Sequence, residues 1–89
     1  MQYRNLGRSG LRVSAVGLGC NNFGGRLDVD QTRLVVDAAL DAGITLFDTA
    51  DRYGGFGGSE MQLGQVLGLR RQNIVLATKF GGAMSADGP

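Results

Sequence analysis

The chain opens on two short stretches in which apolar and polar residues alternate, Tyr3-Arg4-Asn5-Leu6 and Leu11-Arg12-Val13-Ser14. Alternation of period two marks a strand, and Gly7-Arg8-Ser9-Gly10 between the two stretches predicts a hairpin turn. Ala15 to Gly19 then reads as a buried strand, followed by a loop from Cys20 to Leu27. From Asp28 the period changes. Leu34, Val35, Ala38, Ala39 and Ala42 recur at helical spacing and predict one apolar face. Asp28 and Gln31 have the spacing of a capping box, in which each side chain satisfies an orphan backbone donor. Gly43 predicts the stop, because glycine enters the left-handed region without steric cost.

Ile44-Thr45-Leu46-Phe47-Asp48 is a second strand, largely apolar until its last residue, as strands covered on both faces of a parallel sheet are. A glycine-rich loop follows. Ser59 is expected as the N-cap of a second helix, with Glu60 in its first turn and Leu63, Val66 and Leu67 on its apolar side. Asn73 to Lys79 is a third strand, and Phe80 to Pro89 a closing loop. The order hairpin-βαβαβ specifies an α/β fold with a parallel sheet and right-handed crossovers. Residues 1–89 read as one incomplete domain.

Composition narrows the function. A net charge of +1 favours neither nucleic acid nor acidic lipid. No apolar run reaches the roughly 20 residues needed to cross a bilayer, and no secretory leader opens the chain. One cysteine, Cys20, cannot make an internal disulfide and suits a reducing compartment, so the expected location is the cytoplasm. The absence of histidine excludes Ser-His and Cys-His nucleophilic machinery within the chain and leaves no basis for a zinc site.

Glycine, in contrast, occurs 16 times. Gly19, Gly24 and Gly25 follow the first strand of the parallel set, Gly54, Gly55, Gly57 and Gly58 the second, Gly81 and Gly82 the third. Glycine-rich loops are common everywhere, but these three clusters fall at the carboxyl ends of parallel strands, where α/β folds bind ligands. Asp48 and Lys79 close two such strands, whose ends lie roughly 5 Å apart if the strands are neighbours. There they would form a partly buried ion pair on the inner side of the sheet. Taken singly, Asp48 also reads as an Asx-turn residue, Lys79 as a solvated cation and Tyr53 as a packed aromatic. Taken together they suit general-acid chemistry: a phenol holds a proton at neutral pH, a cation beside it favours the phenolate, and a carboxylate anchors the cation.

The segments Gly43 to Ala50, Tyr53-Gly54, Ser59-Glu60, Leu63-Gly64 and Leu76 to Phe80 resemble the aldo-keto reductases. Leu6 to Ser14 and Leu18 to Gly24 are similar to that family's start, above all in bacterial members related to aryl-alcohol dehydrogenases and potassium-channel β subunits. The resemblance implies the N-terminal portion of a (β/α)₈ TIM barrel, not closed in this chain and truncated after strand three. It implies NADPH, with NADH as an alternative, and reduction of aldehydes or ketones to alcohols. Tyr53 would donate the proton, Lys79 would tune its acidity and Asp48 would orient Lys79. Gly19, Cys20 and Asn21, with Asp48, would border the nicotinamide ribose. The family's catalytic histidine belongs at the end of a fourth strand, beyond this chain. Asn21 departs from the family, which often has an aromatic residue there, and the Tyr53–Ser59 loop is about one residue longer.

The partner implied is a small carbonyl substrate, with no nucleic acid and no membrane; the oligomeric state is left open. A barrel of this type needs ~250 residues, so the isolated chain is expected to be marginally stable, prone to associate and inactive. Two other readings of the same resemblance stand beside catalysis: a cofactor-binding regulatory subunit of the channel-β type, and a non-functional truncated remnant. Gly17-Leu18-Gly19 also suggests a Rossmann turn, but no third glycine follows in register and no helix opens from it.

Overall fold

The computed structural model describes residues 1–82; the remainder of the expected Phe80–Pro89 loop, residues 83–89, lies outside the described residues. Strands β1 (Tyr3–Asn5) and β2 (Arg12–Ser14) form the antiparallel hairpin, with Tyr3 opposite Ser14. Then come β3 (Gly17–Gly19), helix α1 (Val29–Asp41), β4 (Leu46–Asp48), a single turn α2 (Tyr53–Phe56), helix α3 (Gly58–Leu67), a 3₁₀ segment (Gly68–Asn73) and β5 (Val75–Ala77). The strands β3, β4 and β5 make an open parallel sheet in that order, so the expected βαβαβ sequence is realised. Gly19, Asp48 and Ala77 sit side by side at its carboxyl end.

Phe47 in the middle strand is fully buried and forms one core with Val36 and Ala39 of α1, Leu63, Val66 and Leu67 of α3, and Ile74. Burying a side chain of this size contributes about 1.5–3 kcal/mol. The hairpin is fastened to the other end of β4. Ser14 Oγ accepts from Thr45 N–H at 2.9 Å and Leu46 N–H at 3.2 Å, and Ser14 N–H donates to Thr45 Oγ1 at 3.0 Å. Tyr3 adds a hydroxyl hydrogen bond to the Gly43 carbonyl at 2.8 Å. The amino end of the sheet is thereby capped, and its carboxyl end is left free for a site.

At α1, Asp28 and Gln31 form the reciprocal capping box, and Gly43 is left-handed with φ 88°. The buried stripe of the helix differs from expectation. It is Thr32, Val36 and Ala39, whereas Leu34 is 71% exposed and Ala38 and Ala42 are exposed. The cause is tertiary: α1 packs on α3 as well as on the sheet, and Thr32 Oγ1 donates to Gln62 of α3 at 2.6 Å. That bond makes burial of the hydroxyl affordable in a way periodicity cannot register.

Three further expectations are corrected. The strand predicted over Ala15–Gly19 is shorter and not buried, with Val16, Gly17 and Gly19 exposed, because β3 is an edge strand with one neighbour. Ser59 is not the cap of α3; Gly57, at φ 112°, takes that place and Ser59 lies inside the helix. The third strand starts at Val75 rather than Asn73, since the 3₁₀ segment absorbs Asn73. Beyond β5 the pairing continues through single bonds, Thr49 N–H to Ala77 O at 2.8 Å and Asp51 N–H to Lys79 O at 3.2 Å.

Candidate active site at the strand ends

Asp48 is the last residue of β4, and Lys79 follows the end of β5 by two residues. The register therefore brings them to one rim. Lys79 Nζ donates to Asp48 Oδ1 at 2.7 Å, to the Thr49 carbonyl at 3.0 Å and to Tyr53 OH at 3.4 Å. An ammonium has three hydrogens, and each has an acceptor. The hydrogen bond to Asp48, first among the causes, raises Lys79 above its ordinary 10.5 and holds it charged, with desolvation working the other way. The pair is more open than the sequence suggests: the Lys79 and Asp48 side chains are 51% and 55% exposed.

Tyr53 reaches this rim because the chain after it turns in an unusual way. Gly54 and Gly55 are left-handed, with φ of 73° and 78°. A Cβ on Gly54 would overlap the Phe23 carbonyl and stand 2.7 Å from Ser59 N. Only glycine meets both demands, so the turn presenting the phenol rests on this residue. Gly24 is the reciprocal contact: its missing Cβ would lie 2.6 Å from the Gly58 carbonyl carbon at the start of α3. The two glycine clusters thus interlock backbone to backbone. The Lys79 ammonium also lies 5.1 Å from the Tyr53 ring centroid.

The residues expected along the nicotinamide ribose divide. Gly19 and Asn21 are exposed beside the end of β3, next to Asp48 across the ladder, and Asn21 Oδ1 lies 3.7 Å from the position a Gly19 Cβ would take. Lys79 occupies Oδ1 of Asp48, and no hydrogen bond to its Oδ2 occurs among the described residues. An amide and a carboxylate oxygen on an exposed rim that Gly19 leaves open fit the hydroxyls of a ribose. Cys20 does not fit. It has no exposed surface, its N–H goes to the Asp48 carbonyl at 2.9 Å, its carbonyl accepts from Ser59 at 2.8 Å, and its thiol points back to Leu18 O. No atom of Cys20 is free for a ligand.

Two residues at the site are given no part in it by the sequence, although both lie in segments that carry the family resemblance. Thr49 supplies an acceptor to Lys79, and Ser59, expected as a cap, is buried against it. A threonine after a strand-end aspartate and a serine near a helix start have commoner structural uses, and only the tertiary contact sets them apart. Among the described residues no helix is long and apolar enough to cross a membrane.

A family model described as "Aldo/keto reductase family" matches residues 15–89. Among curated proteins, one named as a probable voltage-gated potassium channel subunit beta from Oryza sativa subsp. japonica is 46% identical over 84 residues, covering 90% of this chain and 25% of its own length. Its namesake from Arabidopsis thaliana is 42% identical over 84 residues, with the same coverage. Among solved structures, the holo form of an aldo-keto reductase from Bacillus halodurans superposes with a TM-score of 0.85 at 41% identity, covering 99% of this chain and 29% of that one. The open sheet with its flanking helices matches the N-terminal part of that TIM barrel. The chain spans about a quarter of the length of the curated relatives it matches.

Proposed function

The chain belongs to the aldo/keto reductase family, and from that premise we propose that it forms the N-terminal part of an NAD(P)H-dependent reductase of aldehydes and ketones. The observation that carries this reading is the single ammonium of Lys79 bonded at once to Asp48 Oδ1 and Tyr53 OH. In that contact Lys79 donates and the phenol oxygen accepts, so the phenol's own hydrogen remains free to be given away. As that proton passes to a carbonyl oxygen, negative charge grows on the Tyr53 oxygen beside a cation already in place. Asp48 keeps the cation from swinging into solvent. Tyr53 is thus the proton donor, Lys79 the cation that faces the charge growing on its oxygen, and Asp48 the anchor.

When bound, a reduced nicotinamide, NADPH or NADH, would supply the hydride to the carbonyl carbon. Gly19, Asn21 and Asp48 would border its ribose, the glycine by leaving room and the other two by offering polar atoms. A small carbonyl compound is the substrate, and the protein works in the cytoplasm. The family's histidine would join from a fourth strand outside this chain.

The test is steady-state turnover of a broad aldehyde panel by the longest polypeptide that carries this segment. Tyr53→Phe removes the proton and should lower kcat by about 10²–10⁴-fold while leaving cofactor binding in place. Undiminished turnover by that variant would refute the assignment.

The names of the two plant relatives favour a second reading, a cofactor-binding subunit that acts through a partner protein. Nicotinamide binding without turnover across the whole panel would select it. The acid, amine and phenol at one rim favour catalysis, because a subunit acting only as a scaffold has no use for a proton donor.

A further inference from the structure

The residue whose carbonyl accepts from the ammonium carries a hydroxyl that pairs with a second one, and the proton transfer uses neither. Thr49 and Ser59 have no exposed surface. Ser59 Oγ is 2.8 Å from the Cys20 carbonyl and 2.7 Å from Thr49 Oγ1. Each hydroxyl owns one hydrogen, and a carbonyl only accepts. The serine hydrogen is therefore committed to Cys20, and the Thr49 hydroxyl is the donor to Ser59. The relay has one direction, from Thr49 to Ser59 to Cys20. It joins the end of β4, the first turn of α3 and the loop after β3. The Cys20 N–H, bonded to the Asp48 carbonyl at 2.9 Å, closes the circuit.

Thr49 is also the residue whose carbonyl accepts from Lys79 Nζ. Its N–H is held by Ala77 O at 2.8 Å and its side chain by Ser59, so the Cα that carries this carbonyl is fixed through two of its substituents. The other two acceptors of Lys79 are side chains, and the Asp48 carboxylate is half exposed. The Thr49 carbonyl is the one acceptor carried by fixed backbone. The contact from Lys79 to Tyr53, at 3.4 Å, is the longest of the three and the most sensitive to where the ammonium sits.

We infer that Thr49 and Ser59 are positioning residues, a buried hydroxyl relay that sets the distance between the Lys79 ammonium and the Tyr53 hydroxyl. The inference rests on the reading of Tyr53 and Lys79 as a proton-donating pair. It differs from a packing role in what it predicts, since valine fills the space of threonine and lacks only the donor.

The experiment compares Thr49→Val, Thr49→Ser and Ser59→Ala in the longest polypeptide that carries this segment. Thr49→Val and Ser59→Ala should lower kcat about ten- to hundredfold, the usual effect of misplacing a reacting group by a fraction of an ångström to one ångström. The KM for cofactor should hold, the pH profile of kcat should shift, and Thr49→Ser should restore both. If Thr49→Val does not fold, Ser59→Cys, with a weaker donor in similar volume, carries the comparison. Wild-type kcat and an unmoved pH profile in a variant lacking the hydroxyl, whatever its stability, would overturn the inference. Should the unmodified protein reduce no carbonyl, the reductase reading falls and the relay is read from carbon NMR titration of Lys79. A lower midpoint in Thr49→Val then supports it, and an unchanged midpoint overturns it.

Discussion

Cys20 has no exposed surface, and burial pushes its thiol from the ordinary 9.0 up to about 11. The folded chain therefore holds a proton that the unfolded chain releases between those two values. Folding stability is full below pH 9 and falls as pH rises to about 11, by about 3 kcal/mol. Lys79 acts in the same direction but higher on the scale: its contribution is complete below 10.5 and is lost as pH passes its raised folded value. Urea titrations of the longest polypeptide that carries this segment, at stepped pH and with Cys20→Ala as control, separate the two. The control should lose the slope that begins near pH 9 and keep only the later one. Below that range, alkylation of the native thiol by iodoacetamide should remain slow at pH 8 and report opening of the fold rather than a reactive site. A Cys20 that reacts at pH 8 as fast as a free thiol would contradict its enclosure between the Asp48 carbonyl and Ser59.

At the level of elements, what is local was legible and what is tertiary was not. The capping box of Asp28 and Gln31 and the stop at Gly43 depend on neighbours within a few residues, and both are present. The apolar side of α3, Leu63, Val66 and Leu67, was legible because few competing apolar residues surround it. In α1 many positions are apolar, and which of them turn inward is decided by α3, through a threonine that no periodicity selects. The meeting of Asp48 and Lys79 could be anticipated because parallel register aligns strand ends. The pairing of Thr49 with Ser59 could not, because a hydroxyl has many uses and its partner lies ten residues away. The difference between the helices is measurable. Leu34→Gln, at an exposed position, should change stability by no more than about 0.5 kcal/mol. Leu63→Ala, in the core, should cost about 2–5 kcal/mol. Shifts of urea midpoint that reverse this order would mean α1 buries the face its periodicity suggests.

For the whole molecule, the decisive feature is an open sheet. Strands β3 and β5 each have one neighbour, and half-buried Leu46 and Leu76 lie in strands of a sheet that a closed barrel would complete. Closure abolishes edges, and an open three-stranded segment presents them as templates for pairing. With about a quarter of its relatives' length, the chain has the helices of its core but not the strands that would seal it. We predict that the 89-residue segment alone associates in solution, melts at low temperature without a sharp transition, and turns over no NADPH. Size-exclusion chromatography with light scattering and a thermal scan test this, and a monodisperse monomer with a cooperative melt and turnover would overturn it. The cause is testable separately from the outcome. If unpaired edges drive association, polar substitutions at the exposed helix positions Leu34 and Met61 should leave it in place. Lysine introduced in both β3 and β5, or a polypeptide that continues into further strands, should suppress it, because only these act on the free edges.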